Sequence, residues 1–108
     1  MIKVTYTRKG YCRVQIEGHA QSAEPGHDLI CAAASMLAYT LAVNVNSLKA
    51  AGHVKNTTVR LENGDSDIRC TPKVHFKSVI CVVFDSICAG FELLSKQYPQ
   101  NISYEIRE

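Results

Sequence analysis

The sequence predicts an α+β fold, with two helices packed on one antiparallel sheet and the element order ββαββαβ. Three observations predict it: segments in which apolar and polar residues alternate, two long stretches with apolar residues at three- and four-residue spacings, and turn dipeptides between them. The 108 residues suffice for one domain, residues 1–108, and are short for two.

Ile2, Val4 and Tyr6 share one face of a first strand, and Cys12, Val14 and Ile16 share one face of a second. Lys9-Gly10 between them reads as a hairpin turn. Residues 18–27 carry two glycines, a proline and small side chains without periodicity, which reads as a loop. From Leu29 to about Ala50 the spacing turns helical, through Ile30, Ala33/Ala34, Leu37, Leu41, Val45 and Leu48. Asp28 stands where an N-cap belongs and Gly52 where the helix should stop. Asn63-Gly64 then separates a strand over 54–62 from one over 66–70. A second helix is predicted over about 76–97, with Phe76, Val79/Ile80, Val83, Ile87, Phe91 and Leu94 in register and Pro99 ending it. Ile102, Tyr104 and Ile106 form a last strand. Cys81, Phe84 and Cys88 fall off the second helix's main stripe, which predicts either a dimer contact or a deeply buried helix.

Composition narrows the function. Hydrophobic residues make up 46% and charged residues 20%, a globular profile. A net charge of +2 gives no electrostatic argument for nucleic-acid binding. The opening MIKVTYTRKG alternates and has no continuous apolar core, unlike a signal peptide. No stretch reads as the roughly 20 apolar residues of a membrane span, so a cytoplasmic protein with no membrane partner is expected. The five cysteines are odd in number and form no C-x-x-C, so reduced thiols, mostly small core residues, are expected. A scattered metal site using Cys12, Cys70, Cys81 or Cys88 with His75 has only weak support in the spacing, and no metal or organic cofactor is expected.

The chemistry concentrates in residues 17–35, E-G-H-A-Q-S-A-E-P-G-H-D-L-I-C-A-A-A-S. With Asp28 as cap, Cys31 is the third helical residue, among backbone N–H groups that lack intrahelical partners. The positive end of the macrodipole favours a thiolate there, and the same N–H groups suit an oxyanion. A cysteine nucleophile needs a group that moves protons near neutral pH, and His19 and His27 are both candidates. His19 is the better placed, at the end of a strand facing the helix start. The competing reading is structural: Cys31 as a small buried hydrophobe, Asp28 as a cap only, Ser35 as packing, Gly18 and Gly26 as turn residues.

The segment resembles the signature of the ribosomal-processing cysteine protease family Prp, which reads G-H-A, a loop with glycine, then D-h-h-C-A-A-h-S with h apolar. Gly18, His19 and Ala20 match the first element, Gly26 the loop, and Asp28, Cys31, Ala32, Ala33 and Ser35 the last. His27 falls on a variable position, and Pro25 stands where the family commonly has an aromatic. The resemblance implies an endopeptidase that removes a short N-terminal extension from a large-subunit ribosomal protein. It implies Cys31 as nucleophile, His19 as general acid/base, support from Asp28, Ser35, Gly18 and Gly26, and a homodimer. Asp28 would orient His19 or cap the helix, the cap role being the simpler.

Two other classes compete. A non-enzymatic ribosome-associated module would use the positive charge of Lys3, Arg8, Lys9 and Arg13 in the first hairpin, although no stacking aromatics accompany it. A redox protein would need a resolving cysteine near Cys31, and Cys12, the nearest in sequence, alternates onto the core face.

Overall fold

The computed structural model describes residues 1–18 and 27–108, with the side chains of His27 and Asp28 left out. The elements are β1 (Ile2–Arg8), β2 (Cys12–Glu17), α1 (His27–Ala50), β3 (Val54–Glu62), β4 (Asp65–Pro72), α2 (Lys77–Gln97) and β5 (Ile102–Arg107), so the order ββαββαβ holds. A short 3-10 turn, Val74–Phe76, leads into α2.

The five strands form one sheet in the order β3-β4-β2-β1-β5. β1–β2, β2–β4 and β3–β4 are antiparallel, but β5 pairs parallel to β1, so the sheet is mixed where an antiparallel one was expected. The reason is topological. A helix between two strands of one sheet returns the chain to its starting end, so β5 must run the same way as β4. Two antiparallel steps, β4 to β2 and β2 to β1, then leave β1 parallel to β5.

Alternation decides which strand residues go inside. Ile2, Val4 and Tyr6 of β1, Cys12 and Val14 of β2, and Ile68 and Cys70 of β4 are buried under the helices. From α1 come Ile30, Ala34, Ala38, Leu41, Ala42 and Val45. α1 ends at a glycine for a stated reason. Gly52 has φ 76° and donates to the Lys49 carbonyl at 3.0 Å, while His53 donates to Leu48 at 3.0 Å. That pair of bonds is the Schellman closure, and its left-handed residue favours glycine.

α2 corrects the expected stripe. Its buried residues are Ile80, Phe84, Cys88 and Phe91, while Val83, Ile87 and Leu94 are only partly covered and Val79 is exposed. Phe84 stacks on Tyr6 at 6.0 Å between ring centroids, and the Tyr6 hydroxyl donates to Asp85 at 2.8 Å. The surplus apolar surface is real, but it consists of Val79, Val82 and Leu93 on α2 with Leu29, Met36, Tyr39 and Val43 on α1. By length and composition both helices are apolar enough to cross a bilayer, contrary to the sequence reading, yet each lays one face on the sheet.

Two of the first hairpin's four basic residues pair within the molecule. Arg8 bonds both Asp85 oxygens at 2.9 Å and reaches Glu108 at 3.0 Å, and Arg13 grips Asp67 at 3.0 and 2.7 Å.

Candidate active site

At one end of the sheet β2 stops, β1 starts and the β3–β4 hairpin turns. Gly18 marks that junction. It follows β2 with φ 90°, in the left-handed region, and donates to the Gly64 carbonyl at 2.9 Å. A Cβ built here would collide with the Met1 carbonyl oxygen, so space and torsion both demand glycine.

The described part of α1 begins at His27, one residue before the predicted cap. Asp28 thus lies inside the helix and is not its N-cap, and Cys31 lies beyond the third helical position. The N–H of Cys31 thus belongs to the i→i−4 ladder. Its side chain still leans toward the unpaired N–H groups of the first turn, because helical Cα–Cβ bonds tilt to the N-terminus. The expected cap failed because a helix's first turn also suits an acidic residue, through the macrodipole, so aspartate marks the region and not the boundary.

A cleft of about 280 Å³ lies at this end. One wall is α1, presenting Cys31, Ala34, Ser35, Ala38 and Tyr39; the other is the β3–β4 hairpin from Leu61 to Ser66, and Ile2, Ile16 and Gly18 complete it. Three predicted site residues, Gly18, Cys31 and Ser35, thus share one cavity. His19 and Gly26 lie outside the described residues, and of Asp28 only the helical backbone is described. The sequence reading missed the whole hairpin wall and Tyr39. The Asn63-Gly64 signal located the turn, but nothing local tied it to Cys31.

Three of the other four thiols differ from Cys31 in being fully buried. Burial pushes Cys12 up to about 12, Cys70 up to about 11 and Cys88 up to about 12, all deep in the core. Cys31 is half-buried, packing against the core on one side and lining the cleft on the other. Among the described residues no group of three or more His, Cys, Asp or Glu side chains could hold a metal ion.

A cysteine near the start of the first helix, facing an open cleft, defines a class of small α+β protein suited to thiol chemistry on a bound substrate. The comparisons with known proteins give the class a family. Residues 1–103 match the cysteine protease Prp family, and the chain belongs to it, which makes it a peptidase. Among solved structures it is similar to SMU.848 from Streptococcus mutans, at 28% identity and TM-score 0.70, covering 99% of this chain and 94% of that one. It is also similar in fold to the ribosomal processing protease Prp from S. aureus in complex with a covalently linked product peptide. That likeness has 22% identity and TM-score 0.72, over 99% of this chain and 100% of that one. The same S. aureus protease with a substrate peptide gives 19% identity and TM-score 0.71, over 99% and 100%. No curated protein matches the chain.

Proposed function

We propose that this chain is a cysteine endopeptidase that removes a short N-terminal extension from a large-subunit ribosomal protein. The observation that carries the reading is the placement of Cys31 on a cleft large enough for peptide side chains, beside Ser35 and Gly18. Family membership supports the peptidase chemistry. The S. aureus relative, described as a ribosomal processing protease in complex with substrate and product peptides, supports the substrate.

The reaction runs through an acyl-enzyme. The Cys31 thiolate adds to the scissile carbonyl, whose oxygen takes the negative charge. N–H groups of the first turn of α1 hold that oxyanion. The tetrahedral adduct collapses, the C–N bond breaks, and His19 gives its proton to the departing amine. His19 then removes a proton from water, which attacks the thioester and returns Cys31. Asp28, no longer needed as a cap, orients His19 and adds favourable charge to the helix start. Ser35, exposed one turn beyond Cys31, lines the path of the substrate.

The protein acts in the cytoplasm as a homodimer, in which the partner copy covers Val79, Val82 and Leu93, the apolar residues that α2 leaves exposed. Against the binding-module alternative, two of the four basic residues it would use, Arg8 and Arg13, are engaged with Asp85, Glu108 and Asp67. The decisive experiment incubates a peptide spanning the extension junction with wild type and with Cys31→Ala, following products by mass spectrometry. Wild type should cleave at one bond and Cys31→Ala at none. A folded Cys31→Ala that keeps a tenth of the activity removes the nucleophile assignment.

A further inference from the structure

The cleft extends well past the nucleophile. Tyr39 lies eight residues after Cys31 on α1, and both line the cavity. Eight residues of helix rise about 12 Å at 1.5 Å each. An extended peptide advances about 3.3 Å per residue, so that distance corresponds to three or four substrate residues. Between the two stand Ala34, Ser35 and Ala38, side chains too short to block a peptide lying along the helix. Across the cleft from α1, Leu61, next to last in β3, lines the same cavity. Tyr39 is 53% exposed and Leu61 37% exposed, so much apolar surface on both walls stays uncovered in the absence of a ligand.

We propose that Tyr39 and Leu61 form a distal subsite that grips an apolar substrate side chain three or four residues from the scissile bond. This rests on the reading of Cys31 as the nucleophile and adds a second, separate point of recognition. The occupant is the substrate chain itself, because the pair shares one continuous cleft with Cys31. Two grips about 12 Å apart set the register of an extended peptide, so the subsite determines which bond reaches the thiolate. Neither residue belongs to the stretch that carries the nucleophile signature, so substrate preference can change here without touching the chemistry.

The test pairs enzyme variants with peptide variants. Wild type, Tyr39→Ala and Leu61→Ala are assayed on peptides spanning the junction, each with one position from four before to four after the bond replaced by alanine. Tyr39→Ala should lower kcat/KM on the parent peptide roughly tenfold, through KM, as expected for a half-covered aromatic contact. Alanine at one position, three or four residues from the bond, should cost wild type a similar factor and cost Tyr39→Ala almost nothing more. Alanine elsewhere should cost both enzymes equally. A position-specific coupling of this kind does not follow from a weakened dimer, which would lower every peptide by one factor. A uniform loss, or no loss, overturns the subsite alone. A wild-type enzyme that cleaves none of the peptides overturns the functional reading and the subsite with it.

Discussion

Replacing Gly18 and Gly52 separately by alanine isolates the steric demand at the mouth of the cleft. Both have left-handed φ angles, 90° and 76°. Around Gly52 nothing lies within 4 Å of where the new Cβ would stand, whereas at Gly18 the Met1 carbonyl oxygen occupies the place. That carbonyl is not free to retreat. It shares a peptide unit with the Ile2 N–H, which donates to Asn101 at 2.8 Å, and Ile2 is 5% exposed. A left-handed L-residue costs about 1–2 kcal/mol, offset by about 0.4–1 kcal/mol from stiffening the unfolded chain. Gly52→Ala should therefore destabilise by about 1 kcal/mol. Gly18→Ala adds an overpacking cost of about 1–3 kcal/mol, for a total of about 2–4 kcal/mol. Urea titrations with matched slopes measure both, and Gly18→Ala should melt roughly 10 °C below Gly52→Ala. Two variants within about 0.5 kcal/mol of each other would refute the steric argument, since torsion alone would then account for both.

His19→Ala should remove most turnover, by about 10² or more, while His27→Ala should change it less than about tenfold in the same peptide assay. The reverse ranking moves the acid/base role to His27. Stability should fall in alkali. Cys12, Cys70 and Cys88 keep their protons in the fold up to about 12, 11 and 12. In the unfolded chain such thiols ionise near 8.5. Their contribution is thus complete below about pH 8.5 and lost as pH rises toward 11 to 12, by up to about 1.4 kcal/mol per pH unit for each thiol. Urea midpoints that stay flat between pH 8 and 10.5 would contradict this. Val82→Glu should turn a dimer into a folded monomer in sedimentation, because Val82 is 62% exposed on the face assigned to the partner copy.

How much of this was legible in the sequence depends on how local each cause is. The Asn63-Gly64 turn and the Gly52 stop answer to the backbone of a few neighbours, and both stand where they were expected. The direction of β5 depends on α2 and on every pairing between β4 and β1, so alternation in Ile102, Tyr104 and Ile106 could not reveal it. The seam of α2 failed for a different reason. Apolar residues surround much of that helix, so the 3.6-residue period fits more than one stripe, and only packing against Tyr6 selects Phe84. Gly18, Cys31 and Ser35 were found together because the end of β2 and the start of α1 lie close in sequence. Their opposite wall, Leu61 to Ser66, begins thirty residues after Cys31 in sequence and reaches the cleft only through the β2–β4 pairing.

The cysteines show what separates a cleft-lining position from a packing one when the residue type is the same. Cys31 sits in an apolar run, L-I-C-A-A-A, that reads equally well as core. The helix resolves the ambiguity by geometry. Ile30 and Ala34, one residue before and three after, turn inward and are 4% and 5% exposed, while Ser35 stands outside. Cys31 lies at the boundary between these faces, so its stem packs on the core while it lines the cleft. Cys12, Cys70 and Cys88 occupy the interior itself, where removal from water disfavours the thiolate. An apolar setting on one side and an open cleft on the other are thus compatible demands. The run that made Cys31 look like core is also what seats this part of α1 on the sheet while leaving Cys31 on the cleft.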